Sequence, residues 1–311
     1  MLSAIPAPAS TSPPRYRGRF APSPTGPLHF GSLVVALGSW LIARRRCGDW
    51  LLRIEDIDPP REVPGAAHQQ IETLKAFGLE SDEPILWQSA RSDAYTQALD
   101  TLLATGKAFV CRCSRSDLAA DAGIHRACVN TIHQACDPSR LPAIRLHVGE
   151  EGVGFEDAIQ HCIGQGNFEQ SARDAIGDFV LRRANGLWAY QLAVVVDDAA
   201  QRITEIVRGA DLLDSTPRQI LPQRALGLPT PAYAHLPLAV DADGHKLAKS
   251  SAALAVDAAD PLPSLRAVFA FLGQDVGAIA DARTPDALLR RALDVFDSAR
   301  IPMCVHVAGC Q

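Results

Sequence analysis

From Leu28 onward, Leu33, Leu37, Trp40 and Leu41 recur at helical spacing, and the period predicts an apolar helix running to about Arg46. Pro22, Pro24, Gly26 and Pro27 form a stiff turn before it, one that neither a helix nor a central strand tolerates. Gly48–Asp49 breaks the helix. Arg19–Phe20 ends a short strand on one side, and Trp50 to Ile54 is a compact apolar strand on the other. An acidic cluster, Glu55-Asp56-Ile57-Asp58, follows. The pattern is a βαβ unit whose helix N-terminus aims backbone N–H groups at whatever lies above the turn.

Beyond it, residues 64–78 read as a helix with Ile71, Leu74 and Phe77 on one face. Ser92 is expected to cap a second helix ending at Gly106, and 107–111 reads as a strand. From Cys111 to about Arg173 the chain is rich in Cys, His and Gly, is weakly periodic and reads as an insertion. Residues 178–183 and 187–196 read as a strand pair around the turn Asn185–Gly186. Further strands are expected at 203–208 and 236–240, with a helix from Ser215-Thr216-Pro217 to Leu226 between them. Asp241 to Gly244 turns into a lysine-bearing loop, and 263–272 and 285–296 read as helices. There is no internal repeat.

At 311 residues, 47% hydrophobic and 21% charged, the chain has room for a large core and two or three modules. A net charge of −5 offers no global basic field, so any RNA contact needs local patches such as Arg44-Arg45-Arg46. The same triplet also suits a solvated helix end. No apolar run approaches a membrane span, and the Pro/Ala/Ser-rich start lacks a signal-peptide core and reads as a disordered tail. A cytoplasmic enzyme is expected. The eight cysteines do not suggest a secreted disulfide framework.

His29 stands at a helix start, where it can donate to phosphate oxygens, and Gly31 leaves room for a nucleoside against the backbone. Lys246 and Lys249 lie on a Gly-containing loop, placed to neutralise a departing polyanion. Cys111-x-Cys113 with His125-x-x-Cys128 is a plausible tetrahedral zinc set, structural rather than catalytic. His133 and Cys136 lie close enough to replace one of these ligands.

These residues resemble a class I aminoacyl-tRNA synthetase of the glutamyl type. His29-Phe30-Gly31-Ser32 stands for the HIGH signature and Lys246-Leu247-Ala248-Lys249-Ser250 for KMSKS, with Ala248 in place of a serine. The runs RFAPSPTG, LRIEDID, YQLAVVVDD and EIVRGADLLDSTPRQ complete the likeness, which covers roughly residues 16 to 250.

The resemblance implies an α/β chain with a class I synthetase Rossmann-type nucleotide-binding fold, an inserted small zinc-containing domain and a short helical C-terminal region. The expected division is a tail (1–15), a first Rossmann half (16–110), the insertion (111–175), a second half (176–250) and the helical region (251–311). Catalysis falls to His29, Lys246 and Lys249, and ATP contact to His29, Gly31, Ser32 and Lys249, with Mg2+ beside the ATP. Glutamate falls to Arg19, Phe20, Ala21, Pro22, Ser23, Glu55, Tyr190 and Arg208. In this assignment Glu55 meets the α-ammonium and Arg19 faces the side-chain carboxylate as a bidentate fork. The family often has Tyr where His125 stands.

The 61 residues after Ser250 are too few for the large anticodon-binding region of ordinary glutamyl synthetases. With EDIDPPREVPGAA and RGADL, this resembles the truncated glutamyl synthetase paralogues that attach glutamate to the queuosine base of tRNA(Asp). The partners implied are L-glutamate and queuosine-containing tRNA(Asp), gripped through its anticodon stem–loop by a monomer. A minimal synthetase charging the 3′ end of tRNA(Glu) and a non-catalytic paralogue are the alternatives.

Overall fold

A computed structural model describes residues 15–114, 116–128, 141–160, 172–240, 256–303 and 306–308. Residues 1–14 of the N-terminal tail, Lys246, Lys249, His133 and Cys136 lie outside the described residues.

The βαβ unit is present as β1 (Arg17–Phe20), α1 (Phe30–Arg45) and β2 (Asp49–Ile54). After it come α2 (Ala66–Ala76), the two-residue β3 (Leu86–Trp87) and α3 (Ser92–Ala104). β1, β2 and β3 run parallel, with Arg19 opposite Leu51 and Ile54 opposite Trp87. The expected insertion contributes β5 (Ala143–Leu146) and one helical turn, α4 (Ala172–Ala175); β5 is the central strand of a small antiparallel sheet whose outer strands, β4 (Ala108–Cys111) and β6 (Val180–Arg182), lie at the two borders of the insertion. Then follow α5 (Tyr190–Ala200), β7 (Glu205–Gly209), α6 (Thr216–Leu226), β8 (Ala232–Leu236) and β9 (Leu238–Val240). β7 pairs parallel with β8 and lies beside β1. There Thr204 N donates to Arg17 O (2.9 Å) and Arg17 N to Thr204 Oγ1 (2.8 Å). The parallel strands therefore run β3, β2, β1, β7, β8.

Helices α7 (Pro261–Phe271) and α8 (Pro285–Val295) close the chain, with β10 (His306–Ala308) parallel to β9. Both helices bury their apolar face in the cluster that holds α1. Leu33, Leu37 and Leu41 share it with Leu265, Phe269 and Leu288, and Phe30 meets Phe271 edge to face at 5.7 Å. A second cluster joins Leu146 and Leu181 of the small sheet to Leu99 of α3, Leu192 of α5 and Ile206 of β7.

Several local expectations are corrected. Residues 187–196 are not a strand: only Trp188 bridges back to Arg182, and Tyr190 opens α5. The β-branched run Val194 to Val196 suits a strand locally, but packing of Leu192, Ala193 and Val196 into the second cluster decides for helix. Ser92 does not cap α3. It is already helical, and its Oγ accepts from Trp188 Nε1 at 3.1 Å. Ser215 makes no side-chain cap to α6 either. The strand expected at 236–240 is divided at Pro237, which has no N–H for a ladder.

Candidate active site

A cavity of about 1190 Å³ opens at the C-terminal ends of β1, β2 and β7, above the head of α1. The end of β1 and its turn contribute Arg19, Phe20, Ala21, Pro22 and Ser23 to its wall. Glu55 enters from β2, Tyr190 from α5 and Arg208 from β7. His29, Gly31 and Ser32 come from the start of α1. Every expected glutamate-contacting residue, and every expected ATP-contacting residue except Lys249, thus lines one space.

The Pro-rich turn is tied down from two sides. Gln70 of α2 donates through Nε2 to the carbonyls of Ser23 (3.1 Å) and Gly26 (2.7 Å). Glu55 N donates to Pro22 O and Val63 N to Pro24 O. His29 is the N-cap of α1: its Nδ1 accepts from Ser32 N at 3.2 Å, which leaves the ring proton on Nε2. The ring lies over Gly31, where an added Cβ would stand 3.1 Å from His29 Cε1. Gly31 therefore makes room for the histidine itself, beyond any room it leaves for a nucleoside.

The charged floor contains groups that the sequence reading missed. Asp198 accepts from Arg19 Nε (3.0 Å) and Nη2 (3.4 Å), and from Arg53 Nη1 (2.8 Å). Arg53 Nη2 reaches Glu55 Oε1 at 3.3 Å. Arg19, Arg53, Glu55 and Asp198 are all buried, and two positive and two negative groups balance. Burial raises the Glu55 carboxyl above its usual range, against the pull of Arg53 and Arg19. Burial works the same way on Asp198, but there the two guanidiniums prevail and hold it low. Burial, then the nearby Glu55 carboxylate, raises the Tyr190 phenol. The Nε–Nη2 edge of Arg19 is taken by Asp198, so only its Nη1–Nη2 edge can receive a ligand carboxylate as a fork. Arg208 spends four of its five N–H groups inside the protein, on His235, Gln219, Thr216 and Leu212 O. Asp198 had a sequence signal: it ends YQLAVVVDD, and a helical reading turns that carboxylate end toward the core.

The four proposed metal ligands also come together. Their ligand atoms at Cys111, Cys113, His125 and Cys128 all lie within 4.8 Å of one another. Cys111 Sγ is 3.4 Å from His125 Nε2, and Cys113 Sγ is 3.7 Å from Cys128 Sγ. On the far side of the ring, His125 Nδ1 meets Asp178 Oδ2 at 2.9 Å, which directs Nε2 to the thiols. Burial opposes ionisation of Cys111, yet the His125 ring draws its thiol down to about 6. Three sulfurs and one imidazole, with Cys111, Cys113 and His125 buried and Cys128 half-buried, fit a structural Zn2+.

The arginine triplet is mostly engaged. Arg44 forks onto Asp82 (2.6 and 2.9 Å) over the Trp40 ring, and Arg46 pairs with Glu205 over Tyr16. These contacts favour the solvated helix end over an RNA patch. Among the described residues no helix is long and apolar enough to cross a membrane.

The family description "tRNA synthetases class I (E and Q), catalytic domain" matches residues 15–266. The glutamyl-Q tRNA(Asp) synthetase of Xanthomonas oryzae pv. oryzae is 56% identical over 290 residues, covering 93% of each chain. That of Burkholderia cenocepacia is 51% identical, over 91% of this chain and 96% of its own. A crystal structure of glutamate-tRNA synthetase from Elizabethkingia anophelis superposes with a TM-score of 0.72 at 24% identity. It covers 95% of this chain and 68% of that one, and shows the shared fold. With the matched catalytic-domain description and relatives of more than half identity over nearly the whole length, the chain belongs to the class I tRNA synthetases of the glutamate and glutamine type, in the family of glutamyl-Q tRNA(Asp) synthetases, and is a ligase.

Proposed function

We propose that this protein activates L-glutamate with ATP and transfers the glutamyl group to the queuosine base at the wobble position of tRNA(Asp). The observation that carries the reading is one cavity holding Arg19, Glu55, Tyr190 and Arg208 beside His29 at the head of α1. The relatives named for that reaction support the choice of acceptor.

In the first step a glutamate carboxylate oxygen attacks the α-phosphorus of ATP. The bond to the bridging oxygen of pyrophosphate breaks, and glutamyl-adenylate and pyrophosphate result. In the second, a hydroxyl of the queuosine cyclopentenediol attacks the acyl carbon. It loses its proton as the ester forms and AMP leaves. Glu55 holds the α-ammonium, while Arg19 takes the side-chain carboxylate through its Nη1–Nη2 edge. Tyr190 and Arg208 close the wall.

His29 and the α1 N-terminus meet the phosphates, because Nε2 carries the ring proton while Nδ1 caps the helix. Lys246 and Lys249 neutralise departing pyrophosphate, and Mg2+ accompanies the ATP. A Zn2+ held by Cys111, Cys113, His125 and Cys128 would brace the inserted region, which meets the anticodon stem–loop.

Purified protein, ATP and labelled glutamate are incubated with tRNA prepared with and without queuosine. Label in queuosine-containing tRNA(Asp) alone is the expected result. Label in tRNA(Glu) regardless of queuosine would replace the acceptor with the 3′ end. Absence of both transfer and pyrophosphate exchange would remove the enzymatic reading of the cavity. Lys249→Ala should abolish most pyrophosphate exchange.

A further inference from the structure

Among the described residues, Arg208 is the one cation of the cavity wall that is held from behind by a histidine. Its Nε donates to His235 Nε2 at 3.0 Å. A guanidinium keeps its protons at any ordinary pH, so His235 Nε2 must present a lone pair. The imidazole proton then sits on Nδ1, where it is donated to Asp157 Oδ2. The other oxygen, Asp157 Oδ1, accepts three backbone N–H groups: Ile159 (3.0 Å), Gln160 (2.7 Å) and His235 itself (3.2 Å). Asp157 and His235 have no exposed surface, and neither lines the cavity. Tyr233 stacks parallel to the His235 ring, and the Arg208 guanidinium lies over Tyr233 at 5.5 Å. Asp157 belongs to the 141–160 segment of the insertion, so the chain of contacts runs from that segment to the wall of the site.

We infer that Asp157 and His235 are positioning residues: the carboxylate sets the tautomer of His235, and that tautomer holds the Arg208 guanidinium in place on the cavity wall. The functional consequence rests on the proposal that the cavity binds glutamate. The tautomer does not.

The geometry makes one conservative change distinctive. In Asp157→Asn the three backbone donors require the amide oxygen at the Oδ1 position. The NH2 group then faces His235 Nδ1 and must donate to it. The imidazole proton is driven to Nε2, against the Arg208 Nε–H. Two donors meet, and Arg208 must move although shape and volume are almost unchanged.

Two readouts test this. Imidazole 15N–1H correlation spectra should show His235 as the Nδ1–H tautomer in the wild type and Nε2–H in Asp157→Asn. An unchanged tautomer in the variant overturns the proposal whatever the substrate. In pyrophosphate exchange, Asp157→Asn should raise KM for glutamate about tenfold or more, with kcat and KM for ATP altered by less than about threefold. A purely structural role would instead lower Tm and the active fraction and leave KM for glutamate alone, which also overturns it.

Should Asp157→Asn fold poorly, His235→Asn and His235→Gln provide the same comparison. Asn can still donate to Asp157 but cannot reach Arg208, whereas Gln places an acceptor near the Nε2 position. KM for glutamate should rise in His235→Asn and recover in His235→Gln, and equal KM values in both would refute the assignment. Wild-type protein without glutamate-dependent exchange would count against the glutamate reading and leave the tautomer result standing on its own.

Discussion

Under the proposed function Glu55 and His29 each combine a structural and a chemical task, and substitution can separate the two. Glu55 is buried beside Arg53 and Arg19, and burial prevails in raising its carboxyl above the ordinary 4.5. An α-ammonium binds the ionised form, so acidification through this raised pKa weakens glutamate binding. For stability the sign is opposite: an acid whose folded pKa is raised stabilises the fold below its unfolded pKa, and that contribution is lost as pH rises through the folded value. The kcat/KM for glutamate should therefore fall on the acid side with an apparent pKa above 4.5. Glu55→Gln should lower kcat/KM at neutral pH and abolish that limb, as a pH series of pyrophosphate exchange will read. At His29, Asn keeps an acceptor for Ser32 N and Ala does not. His29→Ala should cost about 1 kcal/mol of stability, the usual value of a lost N-cap, and His29→Asn much less. Both should slow exchange strongly, because neither retains an N–H donor at the Nε2 position.

Among the elements, α5 shows how local and tertiary preferences compete. Its valines favour a strand, and the Asn185–Gly186 turn before it favours a hairpin. The hairpin stops after one bridge, because continuing it would carry Asp197 and Asp198 away from the groups that pair with them. As a helix, α5 delivers Asp197 to Gln88, Arg91 and Tyr95, and Asp198 to Arg19 and Arg53. A second element-level dependence lies beside α4. Gly177 has φ +64, and a Cβ there would stand 2.5 Å from Ile124 Cγ2 and 2.7 Å from His125 O. This close approach lets Asp178 N donate to His125 O while the Asp178 carboxylate holds the His125 ring. Gly177→Ala combines a left-handed backbone with a clash, and should destabilise by about 1–3 kcal/mol. It should also weaken zinc retention, measured as metal per chain after dialysis against a chelator, more than an Ala at the open, positive-φ Gly186 does.

Over the whole molecule, the C-terminal helices are part of the catalytic core rather than an appended module. Leu265, Val268, Phe269, Leu288 and Leu289 sit at most 3% exposed in the cluster of Leu33 and Leu37. Each such side chain contributes about 1.5–3 kcal/mol on burial, and domain stability is about 5–15 kcal/mol. Five of them together match that margin. A chain ending at residue 260 should therefore lose cooperative unfolding, and circular dichroism during a thermal scan will show it. A separable module would leave the transition of the remainder intact.

The resemblance to the glutamyl synthetases pointed to part of the cavity lining; the sequence by itself determined the βαβ unit, the stiff turn above α1 and the Cys/His tetrad. Each of these is written in local spacing: a helical period, a run of prolines, a glycine after a histidine, thiols a few residues apart. Only the tertiary structure decided that α5 is a helix, that the last helices belong to the core, and what stands behind each charged side chain. Arg19 and Asp198 are 179 residues apart, and Asp157 and His235 are 78 apart. No local period encodes such a pairing. A buried charge nevertheless requires a partner, and the fold chooses it by bringing distant strand ends and helices to the same place.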